Sequence, residues 1–439
     1  MLLPKYLMDN NILQMASSIL SEGSICDHCM GRMFANLSTD LSNDIRGAAI
    51  KLVLSMECDR MRKESGSTEW LEKLSKSSRY ARKVLGKGGD EDVCWVCGNL
   101  FNNIELWVER VIDALSAVEY NSFLISTKMT GLLSENEEIL WSESGTRFAE
   151  PIKTELNREV GKIVEKRTGK KAQLGRPDVV VVIELENDRV GLDINSLFIY
   201  GRYRKLVRGI PQTRWACRFC GGKGCEECGF TGKLYPESVE ELISETVIKA
   251  FNATGTVFHG AGREDVDALM LGNGRPFALE VRGAKKRSSI DLSALQQETN
   301  TFTSYKVEVS NLEYVDHSKV KQIKEVRTDK AYRLTVMLGG DVPEERLKLC
   351  SNKLRGVITQ QTPTRALHHR ADRLRKRSVR SIELESFDEN VAVFIVTCES
   401  GLYVKELISG DGGRTTPSLG GELGICAKVI SIDVINIES

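Results

Sequence analysis

The 439-residue chain is too long for one ordinary core and implies two or three domains. Its 61 Lys plus Arg balance 61 Asp plus Glu, which excludes a uniformly basic nucleic-acid packer and confines any polyanion contact to local patches. At 41% apolar and 28% charged, the composition is that of a packed globular protein. No window approaches a membrane-spanning apolar run, and MLLPKYLMDNNILQ has no basic segment leading into an apolar stretch. Neither a span nor a signal peptide is expected, and a cytoplasmic protein is.

Residues 1–60 read as helical; residues 60–92, with SGSTEW, KSSRY and GKGGDED, read as polar loops. Eight of the twelve cysteines form CxxC pairs, and Cys26/Cys29 and Cys94/Cys97 stand 64 residues apart on either side of that stretch. Such a pair on a tight turn aims two thiolates at one tetrahedral ion, and two pairs close a four-cysteine site. Structural disulfides would need an oxidising compartment, and four pairs argue for metal structure over redox chemistry. His28, between two ligands, reads as a bystander. The lone Cys58, Cys350, Cys398 and Cys426 read as buried small hydrophobes.

From Ile104 to Val118 the apolar spacing is mainly helical. Pro151 opens a clear helix carrying Ile152, Leu156, Val160, Ile163 and Val164, which Gly169 stops. VVVVIEL then reads as a buried strand, and the turn Glu186–Asn187–Asp188 leads to a second strand near Val190–Ile199. This α/β accessory domain is expected to run to residue 205. Its last segment sets Arg202, Arg204, Lys205 and Arg208 among Tyr200 and Tyr203, which suits single-stranded RNA or a solvated linker. Residues 206–233 form the next unit, in which Cys217, Cys220, Cys225 and Cys228 make a compact metal knuckle with glycines at its turns.

Residues 234–439 read as an α+β domain around a largely antiparallel sheet. Pro236 starts a helix with Val239, Leu242, Ile243, Val247, Ala250 and Phe251 on one face. Strands are expected at 256–260, 277–282, 306–315, 331–338, 379–386, 391–398 and 425–437, with a helix from Pro343 to about Arg355. The loop HGAGREDVDALMLGNGRPF holds Arg263, Glu264, Asp265 and Asp267 between glycines, where a carboxylate beside arginines stays ionised; the bland alternative is a turn whose acids cap amides. Between residues 365 and 380, Arg365, Arg370, Arg373, Arg375, Lys376, Arg377 and Arg380 face only Asp372, a local excess of six positive charges that suits a phosphate backbone. Six glycines from Gly410 to Gly424 suggest a loop that approaches something closely.

The strings GREDVDALMLGNGRPFALEVRG, KAYRLTV, QQTPTRALHHRADR and GLYVKELISGDGGRTTPSLG, in this order, resemble the pseudouridine synthases of the tRNA uridine-54/55 family of archaea and some eukaryotes. The N-terminal cysteine pairs, a THUMP-like unit and the knuckle extend the resemblance over nearly the whole chain. It implies an N-terminal THUMP-containing accessory domain, two four-cysteine structural zinc sites and a C-terminal synthase domain with a mixed, mainly antiparallel sheet. It also implies an isomerase that acts on the T-arm uridines of tRNA without redox cofactor, ATP or obligatory protein partner. The family's catalytic aspartate falls on Asp265 and its basic partner on Lys405. Tyr332 matches the residue that stacks on the uracil, with a possible part in removing the C5 proton, and Tyr403 lies at the substrate site. Leu423, with Leu419 as the alternative, matches an apolar residue packing against it. Arg263 would also meet substrate; the 365–380 arm, with Arg282, Lys285, Lys286 and Arg287, would grip phosphates. Ala268 and Met270 depart from the β-branched or basic residues expected at those places.

Two other classes compete. A non-catalytic THUMP and zinc module presenting tRNA to another enzyme would carry a degenerate loop, whereas Asp265, Tyr332 and Lys405 are all present. A methyltransferase or thiouridine synthase would need an Asn/Asp-Pro-Pro-aromatic motif or a nucleotide-binding loop, and neither occurs.

Overall fold

The computed structural model describes residues 12–144, 147–325, 328–368 and 370–437. It divides into two compact units, residues 1–195 and 196–439. Of the helical stretch expected at 1–60, and of the N-terminal segment in which no signal peptide is expected, residues 1–11 lie outside the described residues. Among the described residues no helix is long and apolar enough to cross a membrane.

The first unit contains helices α1 (Ile12–Glu22), α2 (Asp27–Arg32), α3 (Asn43–Ser65), α4 (Glu69–Ser75), α5 (Arg79–Val84), α6 (Ile104–Leu115), α7 (Gly131–Ser144) and α8 (Ile152–Thr168). Its strands are β1 (Ser122–Lys128), β2 (Lys171–Ala172), β3 (Val179–Glu184) and β4 (Arg189–Ile194), ordered β2-β1-β3-β4. α8 follows its sequence rule: Pro151 precedes it, Ile152, Leu156, Val160 and Val164 are buried, and Gly169 ends it at φ 68°. Each fully buried aliphatic side chain on such a face contributes roughly 1.5–3 kcal/mol. Residues 60–92 are more helical than expected, because Leu71, Leu74 and Ala81 bury one face of α4 and α5 inside an otherwise polar stretch. α2 and α3 touch backbone to backbone: a Cβ on Gly31 would lie 1.8 Å from the Asn43 carbonyl oxygen, so only glycine fits.

The second unit contains β5 (Leu197–Lys205), β6 (Gly255–Gly260), β7 (Leu269–Arg282), β8 (Val307–Val315), β9 (Lys330–Leu338), β10 (Gly356–Gln360), β11 (Arg375–Asp388), β12 (Val391–Cys398), β13 (Thr415–Thr416) and β14 (Ala427–Ile437). They form one ten-stranded sheet, ordered β13-β10-β11-β12-β9-β14-β7-β5-β8, with β6 also on β7. All its pairings are antiparallel except β14 with β7. Helices α9 (Val239–Phe251), α10 (Leu292–Phe302), α11 (Ser318–Glu325), α12 (Glu344–Asn352), α13 (Val404–Ser409) and α14 (Leu419–Leu423) complete it. α9 begins at Val239 rather than Pro236, because Ser238 caps it by accepting from the Glu241 amide.

The strand expected at 190–199 is two strands in two different sheets, broken at Asn195–Ser196. β5 pairs β7 and β8, so the boundary falls at 195 and not at 205, and the knuckle segment 206–233 lies inside the second unit rather than between domains. β7 starts at Leu269, eight residues earlier than expected, because Gly272 and Gly274 let it approach neighbouring backbone; a Cβ on Gly272 would be 2.0 Å from the Ile435 oxygen. The glycines of 410–424 serve similar needs around the short helices α13 and α14. Cys350 and Cys398 are buried as expected, but Cys426 is exposed and Cys58 only half-buried.

Two apolar clusters flank the sheet. One gathers residues of β9–β12 with α12, α13 and α14; the other joins β5–β8 with α9 and α10. Tyr332 on β9 packs against both and so lies at their seam. One edge of β7 pairs β14 at Leu269–Met270 and β6 at Phe277–Arg282, and the loop 261–268 leaves the sheet where these partners change.

Candidate active site

That loop is fastened from below. Tyr203 Oη donates to Glu264 at 2.8 Å, and Gln212 Nε2 donates to the same hydroxyl at 2.8 Å and to the Gly262 carbonyl at 2.9 Å. Buried Arg275 pairs with Glu264 at 2.8 Å and donates to the Ala261 carbonyl at 2.9 Å. Lys205, also buried, reaches the carbonyls of Ile210, Asp265 and Val266 at 2.8, 3.1 and 3.1 Å. A buried charge is tolerable only when it is paired or fully hydrogen-bonded: Glu264 and Arg275 pair with each other, and Lys205 is held by three backbone carbonyls. With Glu264 turned inward, the adjacent Asp265 faces out, its side chain 42% exposed.

Two cations meet Asp265. Lys405 Nζ lies 2.9 Å from its carboxylate, and Arg365 Nη1 lies 4.0 Å away. Burial pushes the Asp265 carboxyl up, but Lys405, Arg365 and Arg263 outweigh it and hold the group below the usual carboxylate range. Burial pulls Lys405 down, and Asp265 with Asp267 outweighs that, holding the ammonium above its ordinary value. Buried Glu406 takes Arg365 Nε at 2.7 Å and aims its guanidinium toward Asp265. Asp267 shares Lys405 at 3.2 Å but is more exposed.

Tyr332 is half-buried on β9, between Val396 of β12 and Val434 of β14. Burial pushes its phenol well above the ordinary range; Cys398 adds to this, Arg275 opposes it, and the charges of Asp265 and Glu264 add further. Its hydroxyl is therefore held protonated. Tyr403 precedes α13, and its backbone is clamped by buried Gln360, which donates to the Tyr403 carbonyl at 3.0 Å and accepts from its amide at 2.9 Å. The Tyr403 hydroxyl accepts from Arg370 and Arg375 at 3.1 and 3.2 Å. Leu423, buried at the end of α14, belongs with Leu419 to the apolar cluster against which Tyr332 packs.

The arm 365–380 is a short 3-10 turn at Thr364–Ala366 followed by the start of β11. It brings Arg365 to Asp265 and Arg370 and Arg375 to Tyr403, leaves Arg373 and Lys376 exposed, and ties Arg380 to Asp329 at 2.8 Å. Arg263 is exposed, with its guanidinium 4.5 Å from the centre of the Trp215 ring. Lys285 and Lys286 are exposed but follow the end of β7 remote from the loop; Phe277 to Arg282 alone spans about 17 Å. The cationic segment 200–208 is not a free RNA surface. Arg202 donates to the carbonyls of Asn273, Gly274 and Ile437, Arg204 pairs with Glu308, and Arg208 pairs with Asp433. β5 is paired on both edges, so its cations are spent within the protein.

The cysteines gather as their spacing implied. Cys26, Cys29, Cys94 and Cys97 form one group and Cys217, Cys220, Cys225 and Cys228 another, with the sulfurs of each group within 4.8 Å of one another. Tetrahedral bonds of about 2.3 Å set sulfurs about 3.8 Å apart. The separations Cys26–Cys97 of 3.6 Å, Cys217–Cys225 and Cys220–Cys228 of 3.9 Å, and Cys225–Cys228 of 3.7 Å fit a shared ion and exclude disulfides. Amides of Gly224 and Gly232 and the guanidinium of Arg32 point at Cys220, Cys228 and Cys29, as thiolates require. His28 stays outside, bound to Glu155 at 2.7 Å and stacked on Phe101.

The C-terminal model of Pus10 matches residues 198–438, and the archaeal Pus10 THUMP model matches residues 107–184. A protein of Methanothrix thermoacetophila named tRNA pseudouridine synthase Pus10 is 48% identical over 430 residues, which cover 98% of this chain and 95% of that one. The chain belongs to the Pus10 family. Relatives of the same name from Halorubrum lacusprofundi, 39% identical over 98% of this chain and 96% of theirs, and Methanopyrus kandleri, 42% identical over 93% and 94%, agree. A solved Cbf5–Nop10–Gar1 complex aligns with 45% of this chain and 45% of its own at 20% identity and a TM-score of 0.30, too loosely to carry an argument. The two Pus10 matches fall on either side of the break at residue 195.

Proposed function

We propose that the chain isomerises uridine to pseudouridine in the T-loop of tRNA, at position 54, position 55 or both. The observation that carries this is the outward-facing carboxylate of Asp265, its loop fastened by the Glu264 network and its charge held by Lys405 at 2.9 Å, with the Tyr332 phenol within reach of its charge. The reaction breaks the bond from N1 to C1′, turns the base and joins C5 to C1′; the C5 proton is lost and N1 regains one, so no redox cofactor or nucleotide is consumed. Asp265 acts at C1′, as nucleophile or by assisting glycal formation. Lys405 keeps it charged, with Arg365 as a second cation. Tyr332 serves as a stacking face for the uracil, and burial favours the protonated form of its phenol. Stacking offsets part of the few kcal/mol that unstacking the target base costs. Tyr403 and Leu423 shape the site, and Arg263 stands near it.

Arg370, Arg373, Arg375, Lys376 and Arg377 bind phosphates around the site, while Lys285 and Lys286 meet a more distant part of the tRNA. Zinc in both four-cysteine groups is structural. The enzyme works in the cytoplasm and needs no protein partner. The test is to incubate the purified chain with an unmodified tRNA transcript, without ATP or S-adenosylmethionine, and map the product. Pseudouridine at 54 or 55 is expected; its absence, or its dependence on either added cofactor, would overturn the proposal.

A further inference from the structure

Beside the candidate active site lies a cavity of about 500 Å³, within the range of small-ligand pockets. Three of its walls come from segments that also carry site residues. Ala261 and Gly262 stand just before Asp265, Lys330 just before Tyr332, and Ser400 and Gly401 just before Tyr403. The fourth wall is α11, which contributes Lys319, Ile323 and Lys324.

The lining is cationic. Lys319, Lys324, Lys330 and Arg377 all face the cavity together with Arg202, and no carboxylate is among the described residues that line it. Arg202 is spent on backbone carbonyls, but the others are not saturated. Among the described residues Lys330 Nζ has no hydrogen-bond acceptor; it rests beside Gly262, where a Cβ would come within 3.2 Å of both it and Arg275 Nη1. Burial, and then the Arg275 charge, pull this ammonium down to about 8, with Cys398 and Glu264 opposing in part. Lys330 is half-buried, so its ammonium has lost part of its hydration and gains from an anion that enters the cavity. Arg377 repeats the theme: one Nη donates to the Lys376 carbonyl, Glu399 is 3.8 Å away, and Nε is buried without a partner. Lys319 lies over the Tyr200 ring at 4.6 Å, which gives the cavity an aromatic floor under a cation.

We propose that this cavity is a subsite for the backbone phosphate of a nucleotide neighbouring the target uridine, with Lys330 and Arg377 as its inner donors and Lys319 and Lys324 at its mouth. A phosphodiester fits better than a carboxylate metabolite. It supplies several acceptor oxygens to cations on different walls, and its chain continues toward Asp265 past Gly262. The inference rests on the proposed RNA substrate and adds to it a second anchoring point, which would fix the register of the strand as one base leaves its stack.

The test is equilibrium binding of tRNA transcripts, which does not depend on turnover. Lys330→Met and, on exposed α11, Lys324→Ala are compared with wild type, using transcripts that carry a single neutral methylphosphonate at successive positions around the T-loop. Loss of one charged contact is expected to weaken binding about tenfold in Lys330→Met and less in Lys324→Ala. One methylphosphonate position should weaken wild-type binding by at least that factor and cost Lys330→Met several-fold less, since the variant has already lost one of the contacts that the probe removes. In turnover, Lys330→Met should raise KM with kcat within about twofold of wild type. Losses that multiply at every methylphosphonate position, or unchanged binding in both variants, would overturn the subsite. A fall in kcat alone would also overturn it and make Lys330 a positioning residue for the loop. If wild type bound the transcripts in this pattern but made no pseudouridine, the subsite would stand and the proposed reaction would fall.

Discussion

Lys405→Met removes the ammonium 2.9 Å from Asp265 while keeping most of the side-chain volume. Asp265 is then left with burial, which opposes ionisation, against Arg365 at 4.0 Å and Arg263, and with Asp267 as an uncompensated like charge. At the effective dielectric near a protein surface, a pair at that distance is worth about 6 kcal/mol before screening. The Asp265 side chain is 42% exposed, so solvent screening cuts this to about 1–1.5 kcal/mol, close to one pH unit. The sign follows from the direction of the shift. With Lys405 the carboxyl titrates below the usual range, so without it activity is lost at a higher pH on the acid side. The acid limb of kcat/KM should therefore move up by about one unit, and Lys405→Arg, which keeps the charge, should move it by less than half as much. The assay is pseudouridine formation on an unmodified tRNA transcript from about pH 3 to 8 at constant ionic strength, a range that includes the acid limb. An acid limb in Lys405→Met that superimposes on wild type would refute the view that charge pairing sets the ionisation of Asp265.

Tyr332→Phe should keep more activity than Tyr332→Ala, because the ring supplies stacking and the hydroxyl is held protonated; the opposite order in a turnover assay would contradict this. Metal analysis should find two zinc ions per chain, and Cys97→Ser should leave one; about 10–16 kcal/mol of binding energy per site makes chelation an unfolding treatment, visible as a lower Tm. An unchanged Tm on complete metal removal would rule out the structural role. Arg275→Met strands buried Glu264 and should cost about 3–5 kcal/mol, a fall of about 10 °C in the melting of the second unit. A shift under about 2 °C would show that the network under the loop is not what fixes it.

Much of this was legible in local pattern. The helix α8, with proline before it and glycine after it, and the strand β12 at 391–398 follow from spacing alone. The four cysteine pairs predicted both groupings, since metal-ligand spacing is a local property. The segment 197–205 misled for a physical reason. Clustered cations read as a surface, yet strand pairing on both edges turns Arg202 and Lys205 toward carbonyls seventy or so residues away, or in the loop that holds Asp265. Gln212, Gln360 and Glu406 went unseen for the same reason, because each acts on a partner distant in sequence. One signal was available: Glu264 abuts Asp265, and two acids in succession on a tight loop send their side chains to opposite sides. One must then be buried and demand a cation, and Arg275 supplies it. The exposed Cys426 followed no rule that sequence could apply.

The most direct measurement is a single-turnover comparison of wild type and Asp265→Asn on the same unmodified tRNA transcript, with binding measured in parallel. Substituting an amide keeps shape and removes only the charge. The account predicts pseudouridine from wild type, none detectable from the variant, and tRNA affinity within about threefold of wild type. Pseudouridine formed by Asp265→Asn at a rate close to wild type would contradict it outright.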